Sequence, residues 1–252
     1  MDILYEDNHL IAINKRPGQI VQGDKTGDPC MADEIKAFLK QRDGKPGNVF
    51  CGVIHRLDRP VSGVVLFAKT SKALSRMNEI LKQRNCRKVY YAVVKNKPPQ
   101  PEGHLEDYLV RNEKLNKSFV VPHSNIGATR APTIVQTFKH SNTPKLAILD
   151  YRLLATSSGG YHLLEIELHT GRHHQIRCQL AHMGCPIKGD LKYGYPRSNP
   201  DGSISLHSRL LSFDHPVRHE HDSQPVRQVT IVAPHPFGNI FPDLQENPTP
   251  QD

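Results

Sequence analysis

The sequence predicts an α+β fold with a large mixed, mainly antiparallel sheet flanked by helices and loops. Segments typical of strands outnumber those typical of helices, several pair as hairpins, and the regular strand–helix alternation of a doubly wound sheet is absent. With 252 residues and 37% apolar content, the chain is long and apolar enough to form a core. Collagen, coiled-coil and wholly disordered chains are therefore excluded.

The first predicted elements are a hairpin and a helix. Residues 3–5 and 10–13 are apolar segments separated by four polar residues, and a turn at residues 15–18 follows them. Over residues 31–40, apolar side chains recur at helical spacing. The chain is therefore expected to begin with two antiparallel strands and one helix.

The middle of the chain predicts a strand, a helix and another strand. Residues 63–69 contain an uninterrupted apolar run, which is typical of a buried strand. Thr70 or Ser71 can cap a following helix whose apolar residues lie at i, i+3 and i+7. β-Branched and aromatic residues over 89–94 predict the next strand, which a proline-rich loop ends.

The second half of the chain predicts an antiparallel hairpin followed by a helix. Residues 146–154 and 161–169 read as strands joined by a Ser-Ser-Gly-Gly turn, and a helical apolar pattern starts after Gly171. A single domain is expected over residues 1–235. Residues 236–252 are expected to form a flexible C-terminal tail.

The charge of the chain indicates an anionic partner. The formal net charge is +8, and residues 69–95 alone hold five Lys and three Arg against one acidic residue, Glu79. A second basic cluster covers residues 172–197. Nucleic acid is the most common anionic partner of such a chain. The alternative is that each cluster is merely a solvated helix face.

Several function classes lack support in the sequence. No long apolar stretch or secretory leader is present, and five cysteines without a Cys-x-x-Cys pair fit a reducing compartment, so a cytoplasmic protein without membrane contact is expected. No glycine-rich phosphate-binding loop occurs, which disfavours a nucleotide cofactor. A monomer is the default expectation.

The densest polar segment, residues 53–63, contains the first candidate for chemistry. Asp58 lies there between Arg56 and Arg59, and these neighbours favour its ionised form. A partly shielded carboxylate can act as a nucleophile or a base. The alternative from this segment alone is an aspartate that forms a structural salt bridge or caps a turn.

A second polar segment, residues 170–177, lies where a strand joins a helix. His169 and His173 are four residues apart, as are His174 and Cys178, so a metal site is an alternative there. No glutamate stands between the histidines as in a metalloprotease. Histidines and arginines at such a junction more often bind anions or form a polar network.

Taken in order, these segments and three further motifs resemble the RluA-type RNA pseudouridine synthase family. The matching residues are His55-Arg56-Leu57-Asp58 with Ser62-Gly63, Lys88-Val89-Tyr90, the segment from Gly171 to Arg177, Pro186-Ile187 with Gly189-Asp190, and Tyr193-Gly194. The resemblance covers residues 1–235 and includes the catalytic domain only, without the N-terminal RNA-binding domain that many relatives carry.

The resemblance implies a pseudouridine synthase fold that isomerises specific uridines in ribosomal or transfer RNA without cofactor or metal. It assigns Asp58 as the catalytic aspartate and Arg177 as the basic residue that pairs with it. It assigns Tyr90 to stacking on the target base and Arg56 to the space that the flipped base leaves. Further residues expected to bind substrate are His55, Arg172 and Gln175, and those expected to contact the RNA backbone are Lys72, Arg76, Lys82 and Lys88.

Some positions depart from the family pattern. Arg16 stands where a proline or a small residue is usual, and His173 replaces a common threonine. Neither position is a proposed catalytic residue, so the expected chemistry is unaffected and only the local loop geometry is in question. The alternative function is a catalytically inactive RNA-binding or ribosome-assembly factor on the same fold. The presence of Asp58, Tyr90 and Arg177 together argues against it.

Overall fold

A computed structural model describes residues 1–23, 27–121, 143–217 and 227–244. The described chain divides into two compact units. The first contains described residues of Met1–Tyr90, Leu206–Gly238 and Asp243–Asp252, and the second contains those of Tyr91–Ser205 and Asn239–Pro242.

The first unit is built on a mixed set of strands with two helices. Strands β1 to β4 are Ile3–Glu6, Leu10–Lys15, Gly52–Val53 and Ser62–Ala68, and helices α1 and α2 are Met31–Arg42 and Ser71–Lys82. Strand β5, Cys86–Val94, begins in this unit and ends in the second. The last strands of the chain, β10 (Leu206–Asp214) and β11 (Gln228–Val232), also belong to the first unit.

The pairing in this unit makes β4 its central strand. Strand β4 pairs antiparallel with β2 and β3 and parallel with β10, while β1 pairs with β2 and β11 with β10, both antiparallel. All seven residues of β4 are buried, as the apolar run predicts. The side-chain oxygen of Thr70 accepts a hydrogen bond from the Ala73 nitrogen and caps α2, which buries Ala73 and Met77 in the core.

The described part of the second unit contains four antiparallel strands, one α-helix and a short 3-10 helix, Leu191–Tyr193. Strands β6 to β9 are Glu102–Asn112, Lys117–Val121, Lys145–Thr156 and His162–Leu168, and helix α3 is Gln175–His182. They pair in the order β9-β8-β6-β7, every pair being antiparallel. The predicted β8–β9 hairpin is thus confirmed. Cys178 of α3 packs on Leu109 of β6 and Ala147 of β8, which fixes the helix start beside these strands.

The α+β prediction is confirmed, and two of the strands that the sequence did not indicate, β6 and β10, share a cause. In β6, charged residues alternate with others along the strand, and β10 buries His207, Ser208 and Arg209. Strands of this kind lack the apolar pattern that reveals a strand, because their polar groups are satisfied only after folding.

The expected C-terminal tail is only partly within the described residues. Phe237 and Phe241 are buried, whereas residues 245–252 lie outside the described part of the chain. The single domain over residues 1–235 and the tail stay predictions.

Candidate active site

Asp58 lies in a tight turn of the first unit, between β3 and β4. Its side chain is half-buried, and its carbonyl accepts a hydrogen bond from the Val61 nitrogen at 3.0 Å. The next carbonyl, that of Arg59, accepts from the Gly18 nitrogen at 2.8 Å. The turn is therefore tied both to itself and to the loop after β2, so the aspartate stands on well-bonded backbone.

Lys15, the last residue of β2, is the main support of this turn. Its side chain is 1% exposed, and Nζ donates to the carbonyls of Arg16, Arg59 and Val61 at 3.2, 3.0 and 2.6 Å. An ammonium has three N–H donors, so these carbonyls use all of them. Lys15 thus ties the loop after β2 to the residues that follow Asp58 in the chain.

The charge of Lys15 also acts on the site. Burial lowers the pKa of Lys15 to about 8, while the nearby Asp58 carboxylate opposes this shift and Arg59 adds to it. At neutral pH the Lys15 ammonium is therefore still mostly charged. The sequence predicts only a turn at Lys15, since a single lysine before Arg16-Pro17-Gly18 gives no signal of burial.

Tyr90, near the middle of β5, is brought close to Asp58 within the first unit. It is 8% exposed, and its hydroxyl forms a hydrogen bond with Ser208 of β10. Burial raises the pKa of Tyr90 to about 12; the Ser208 bond opposes this, and the Asp58 charge adds to it. The phenol is therefore neutral at physiological pH, and the fold places two predicted site residues within electrostatic range of each other.

A glycine makes this arrangement possible. Gly63 pairs with Ser208 and has φ of 108°, and a Cβ at this position would lie 2.7 Å from the Ser208 nitrogen. Only glycine tolerates both the left-handed backbone and the close approach of β4 to β10. Ser208, the hydrogen-bond partner of Tyr90, is thus positioned by Gly63. This glycine belongs to the motif that also contains Asp58.

His55 and Arg56, the other predicted site residues of the segment 53–63, lie in different environments. The Nε2 atom of His55 accepts a hydrogen bond from the Leu66 nitrogen at 3.1 Å, and burial, with a smaller effect from Lys88, lowers the pKa of His55 to about 4. A neutral His55 therefore anchors the loop to β4. Arg56 is exposed, and Arg59 pairs with Asp28 at 3.3 Å.

The four lysines and arginines expected to contact RNA are not equivalent. Lys72 and Lys82 are exposed on α2, but Lys82 lies 3.7 Å from Glu79. Arg76 donates through Nη1 to the Pro216 carbonyl at 2.9 Å. Lys88 is half-buried, and burial lowers its pKa. Of the two exposed lysines, Lys82 is the one that lies near a described carboxylate.

In the second unit, Arg172, Gln175 and Arg177 share the segment that leads into α3. The His174 backbone has φ of 53°, and this left-handed residue turns the chain into the helix. The Gln175 side chain accepts from Thr170 Oγ1 at 2.8 Å and from the Arg172 nitrogen at 3.0 Å, and it donates to the Ile148 carbonyl at 3.1 Å. Gln175 is buried and ties the loop to β8.

Arg177 forms a buried two-point ion pair with Asp190. Nε lies 2.7 Å from Oδ2 and Nη2 lies 2.9 Å from Oδ1, with the side chains 6% and 1% exposed. The guanidinium also lies over the Tyr193 ring, 5.1 Å from its centre. Asp190 belongs to the Gly189-Asp190 motif, but the sequence gives no signal that it pairs with Arg177, which lies thirteen positions earlier.

His174 and Tyr193 complete this buried network. The Tyr193 hydroxyl accepts from the Ser118 nitrogen at 2.8 Å and lies 3.1 Å from Nδ1 of His174, to which it can donate. Burial, together with Arg177 and other cations, lowers the pKa of His174 to about 2, so the imidazole is neutral. A neutral histidine that accepts a hydrogen bond from a tyrosine serves as structural support rather than as an acid.

A polar cleft adjoins this loop within the second unit. It has a volume of about 490 Å³ and is lined by Arg111, Lys145, Arg172 and His173, with Glu113 as its carboxylate. Arg172 is oriented by a 2.8 Å hydrogen bond from Nε to the Leu146 carbonyl. Three permanent cations against one carboxylate suit an anion such as a phosphate. Arg111 and Lys145 come from β6 and β8, so their proximity to Arg172 was not visible in the sequence.

Two classes of site receive no support from the described part of the chain. Over residues 1–23, 27–121, 143–217 and 227–244, no group of three or more His, Cys, Asp and Glu side chains is arranged to hold a metal ion. Within the same ranges, no helix has the length and apolar character needed to span a membrane.

Comparison with known proteins places this arrangement in a family. Residues 9–182 match the family model described as RNA pseudouridylate synthase. The chain is 34% identical to a tRNA pseudouridine synthase C of Haemophilus ducreyi, with 92% of this chain and 90% of that protein covered. It is 33% identical to a ribosomal large subunit pseudouridine synthase D of Xylella fastidiosa, and 32% identical to an uncharacterised RNA pseudouridine synthase of Synechocystis. In both cases the match covers 94% of this chain but only 66% of the relative.

Solved structures confirm the fold. The human RNA Pseudouridylate Synthase Domain Containing 4 protein superimposes with a TM-score of 0.71 at 24% identity, covering 93% of this chain and 88% of that one. The human domain-containing 1 protein gives a TM-score of 0.65 at 20% identity, covering 95% and 85%.

Proposed function

This chain belongs to the RNA pseudouridylate synthase family, and on that basis we propose that it isomerises uridines in structured RNA to pseudouridine. The observation that carries the proposal is the first-unit site, in which Asp58 stands on a turn clamped by Lys15, within electrostatic range of the buried Tyr90. Asp58 and Tyr90 are the residues that the resemblance assigns to catalysis and to base stacking, and both lie in the first unit.

The reaction needs one carboxylate and an enclosed base. The glycosidic bond between ribose C1′ and uracil N1 breaks, the ring turns, and C1′ bonds to C5. C5 then loses its proton and N1 gains one, so no atom is added or removed overall. Asp58 attacks the sugar or removes a proton, and either role needs an ionised carboxylate.

Tyr90 suits the second requirement, which is to hold the detached base. A uridine inside a helix or a stacked loop must be flipped out, at a cost of a few kcal/mol, before an enzyme can reach it. The neutral phenol of Tyr90 offers a ring face for stacking on the flipped base. Arg56, exposed beside Asp58 in sequence, is proposed to enter the space that the base leaves, where its planar cation can stack and donate hydrogen bonds.

The second unit is proposed to contribute charge. The resemblance assigns Arg177 as the partner of the catalytic aspartate, and Asp190 fixes the orientation of its guanidinium. Arg172 and the cleft beside it are proposed to bind an RNA phosphate. His55 and Gln175 act as supports of these loops, in addition to the substrate contacts proposed for them.

The substrate is proposed to be ribosomal or transfer RNA. Two of the relatives named above act on transfer RNA and on the large ribosomal subunit, as their names state. We further propose that the protein works as a cytoplasmic monomer without a nucleotide cofactor. A phosphate-attracting site that also contains an acid is expected of an enzyme, which favours catalysis over the inactive binding factor.

Replacement of the aspartate tests the proposal. We expect Asp58→Asn to abolish pseudouridine formation in transfer RNA and ribosomal RNA while changing RNA affinity by less than about tenfold, because the carboxylate serves chemistry rather than binding. Pseudouridine is measured by tritium release from 5-tritiated uridine, and affinity by filter binding. Asp33→Asn, a charge-matched control on the exposed face of α1, is expected to keep full activity.

Full activity of Asp58→Asn would refute the catalytic assignment. Tight RNA binding by the wild type without any pseudouridine formation would instead support the binding factor.

A further inference from the structure

The second unit holds a second group of cations, which is organised around two tyrosines. Nζ of Lys95 lies 4.7 Å from the centre of the Tyr161 ring, and Nζ of Lys188 lies 6.0 Å from the same centre. The Tyr161 side chain is hydrogen-bonded to Tyr195, and the charge of Arg197 acts on Tyr195. We call these five residues the tyrosine patch. None of them was among the site residues that the sequence analysis selected.

The two lysines of the tyrosine patch are held in place by more than the ring. Nζ of Lys95 donates to the Gly159 carbonyl at 2.7 Å, in the turn that joins β8 to β9. Nζ of Lys188 donates to Oδ1 of Asn199 at 2.6 Å. Side chains that are fixed before a partner arrives lose less conformational entropy on binding, so these lysines are better prepared for a ligand than freely moving surface lysines.

The local charge is strongly positive. Lys95 and Arg197 are exposed, and so is the neighbouring Lys97. Burial lowers the pKa of His162, and the charges of Lys97 and Lys95 lower it further. The charge of Lys188 acts on Asp201, whose carboxylate accepts a hydrogen bond from Ser203 and offsets part of the positive charge of the patch.

We propose that the tyrosine patch is a second RNA-binding surface, which contacts phosphates of the substrate outside the segment that carries the target uridine. This inference rests on the proposed function, because it takes RNA as the substrate. Lysines and arginines bind the phosphate backbone, and tyrosines beside them contribute ring faces and hydroxyl donors, a combination typical of nucleic-acid surfaces. The reaction at Asp58 uses none of these residues, so their arrangement is best explained by binding.

The proposal predicts that the length of the RNA matters. A short hairpin would occupy the catalytic site alone, whereas a full-length transfer RNA would also reach the tyrosine patch. Affinity for the longer RNA should therefore depend on Lys95 and Arg197, and affinity for the hairpin should not.

The experiment compares Lys95→Ala/Arg197→Ala with Lys40→Ala/Lys45→Ala, which removes two exposed cations near the end of α1. Fluorescence anisotropy is measured with bulk transfer RNA and with a uridine-containing hairpin of about 20 nucleotides, at several salt concentrations. For the first variant we expect affinity for transfer RNA to fall about fivefold to tenfold, and the salt slope to fall by about one to two. Its affinity for the hairpin and both affinities of the control variant should stay within about twofold of wild type.

A second variant separates charge from the aromatic support. Tyr161→Leu keeps every charge of the tyrosine patch but removes the ring that positions Lys95 and Lys188. It should weaken transfer RNA binding by about twofold to threefold without changing the salt slope, since the slope counts phosphate contacts. Circular dichroism melting of each variant checks that it is folded.

Two results would overturn the inference. One is unchanged transfer RNA affinity in Lys95→Ala/Arg197→Ala, which would leave the tyrosine patch to another partner such as an acidic protein. The other is an equal loss on the hairpin and on transfer RNA, which would make these residues part of the catalytic site. Pseudouridine formation by the wild type in the same transfer RNA tests the proposed function separately, since it does not depend on these variants.

Discussion

Asp58 of the first unit and Arg177 of the second unit are held in position by different means. Asp58 is positioned through its backbone: Lys15 donates to the carbonyls of Arg59 and Val61, which follow the aspartate in the chain. Arg177 is positioned through its own charged group, since Asp190 binds the guanidinium at two points. The difference fits the two proposed roles.

The bonds from Lys15 to the carbonyls that follow Asp58 fix the backbone on which the aspartate stands, and they bring a positive charge into the same turn. The Arg177 guanidinium is instead oriented by a direct pair with Asp190. Its charge stays permanent, and the two-point contact also sets its plane.

Among the substitutions that test this comparison, breaking the Arg177–Asp190 ion pair is expected to have the largest effect. Asp190→Ala leaves the Arg177 guanidinium buried without its carboxylate and should lower the free energy of unfolding by about 3–5 kcal/mol. Urea unfolding followed by circular dichroism measures this loss. The control is Arg152→Ala, which breaks an exposed pair with Glu165 and should cost about 0–1 kcal/mol. Equal losses in the two variants would show that Asp190 does not support Arg177 as described.

The next effect is a pH dependence of stability due to Lys15. Its pKa is about 8 in the folded protein against 10.5 for the ordinary side chain, so the unfolded state binds more protons between these values. Stability is therefore expected to rise with pH across this window, and the shift is worth about 3 kcal/mol in total. Below pH 8 the full penalty of the buried charge is present; above 10.5 it is gone.

Lys15→Met provides the comparison that isolates this effect. The unfolding free energy of wild type minus that of Lys15→Met should increase between about pH 8 and pH 10.5, because only the wild type has the group. A difference that is constant with pH would mean that Lys15 is not buried as a charged group, and that the clamp on the Asp58 turn is weaker than its hydrogen bonds indicate.

Substitutions at Tyr90 sharpen the comparison on the catalytic side. Tyr90→Leu should lower the rate of pseudouridine formation about tenfold to a hundredfold more than Tyr90→Phe does, since stacking of a base on an aromatic ring is worth about 1–3 kcal/mol. Phenylalanine keeps the ring and loses only the bond to Ser208. Similar rates in the two variants would argue against a stacking role.

The smallest effects are expected on α2. Lys72→Ala should weaken RNA binding and reduce the salt slope by about one, as for the loss of one phosphate contact. Lys82→Ala should have less effect, because Lys82 is already partly compensated by Glu79. Salt titrations of both variants, with Lys40→Ala as the control, measure the difference. A slope that neither variant changes would identify α2 as a solvated face.

Much of the fold could be predicted because local patterns decide it. The apolar run of β4, the Thr70 cap of α2 and the β8–β9 hairpin are visible as periodicity and turn residues, and each is confirmed. Strand β10 was not predicted, since it buries His207 and Arg209. Ser62 bonds to His207, and the Ala233 carbonyl accepts from Arg209, and such partners are distant in sequence.

The sequence by itself determined the family, the candidate residues Asp58, Tyr90 and Arg177, and the excess of positive charge. These depend on residue types at fixed spacing, which a sequence displays directly. The tertiary structure alone decided that Lys15 supports the Asp58 turn and that Asp190 holds Arg177. Burial and long-range hydrogen bonds set both pairings, because a desolvated charge must find its partners wherever the fold places them.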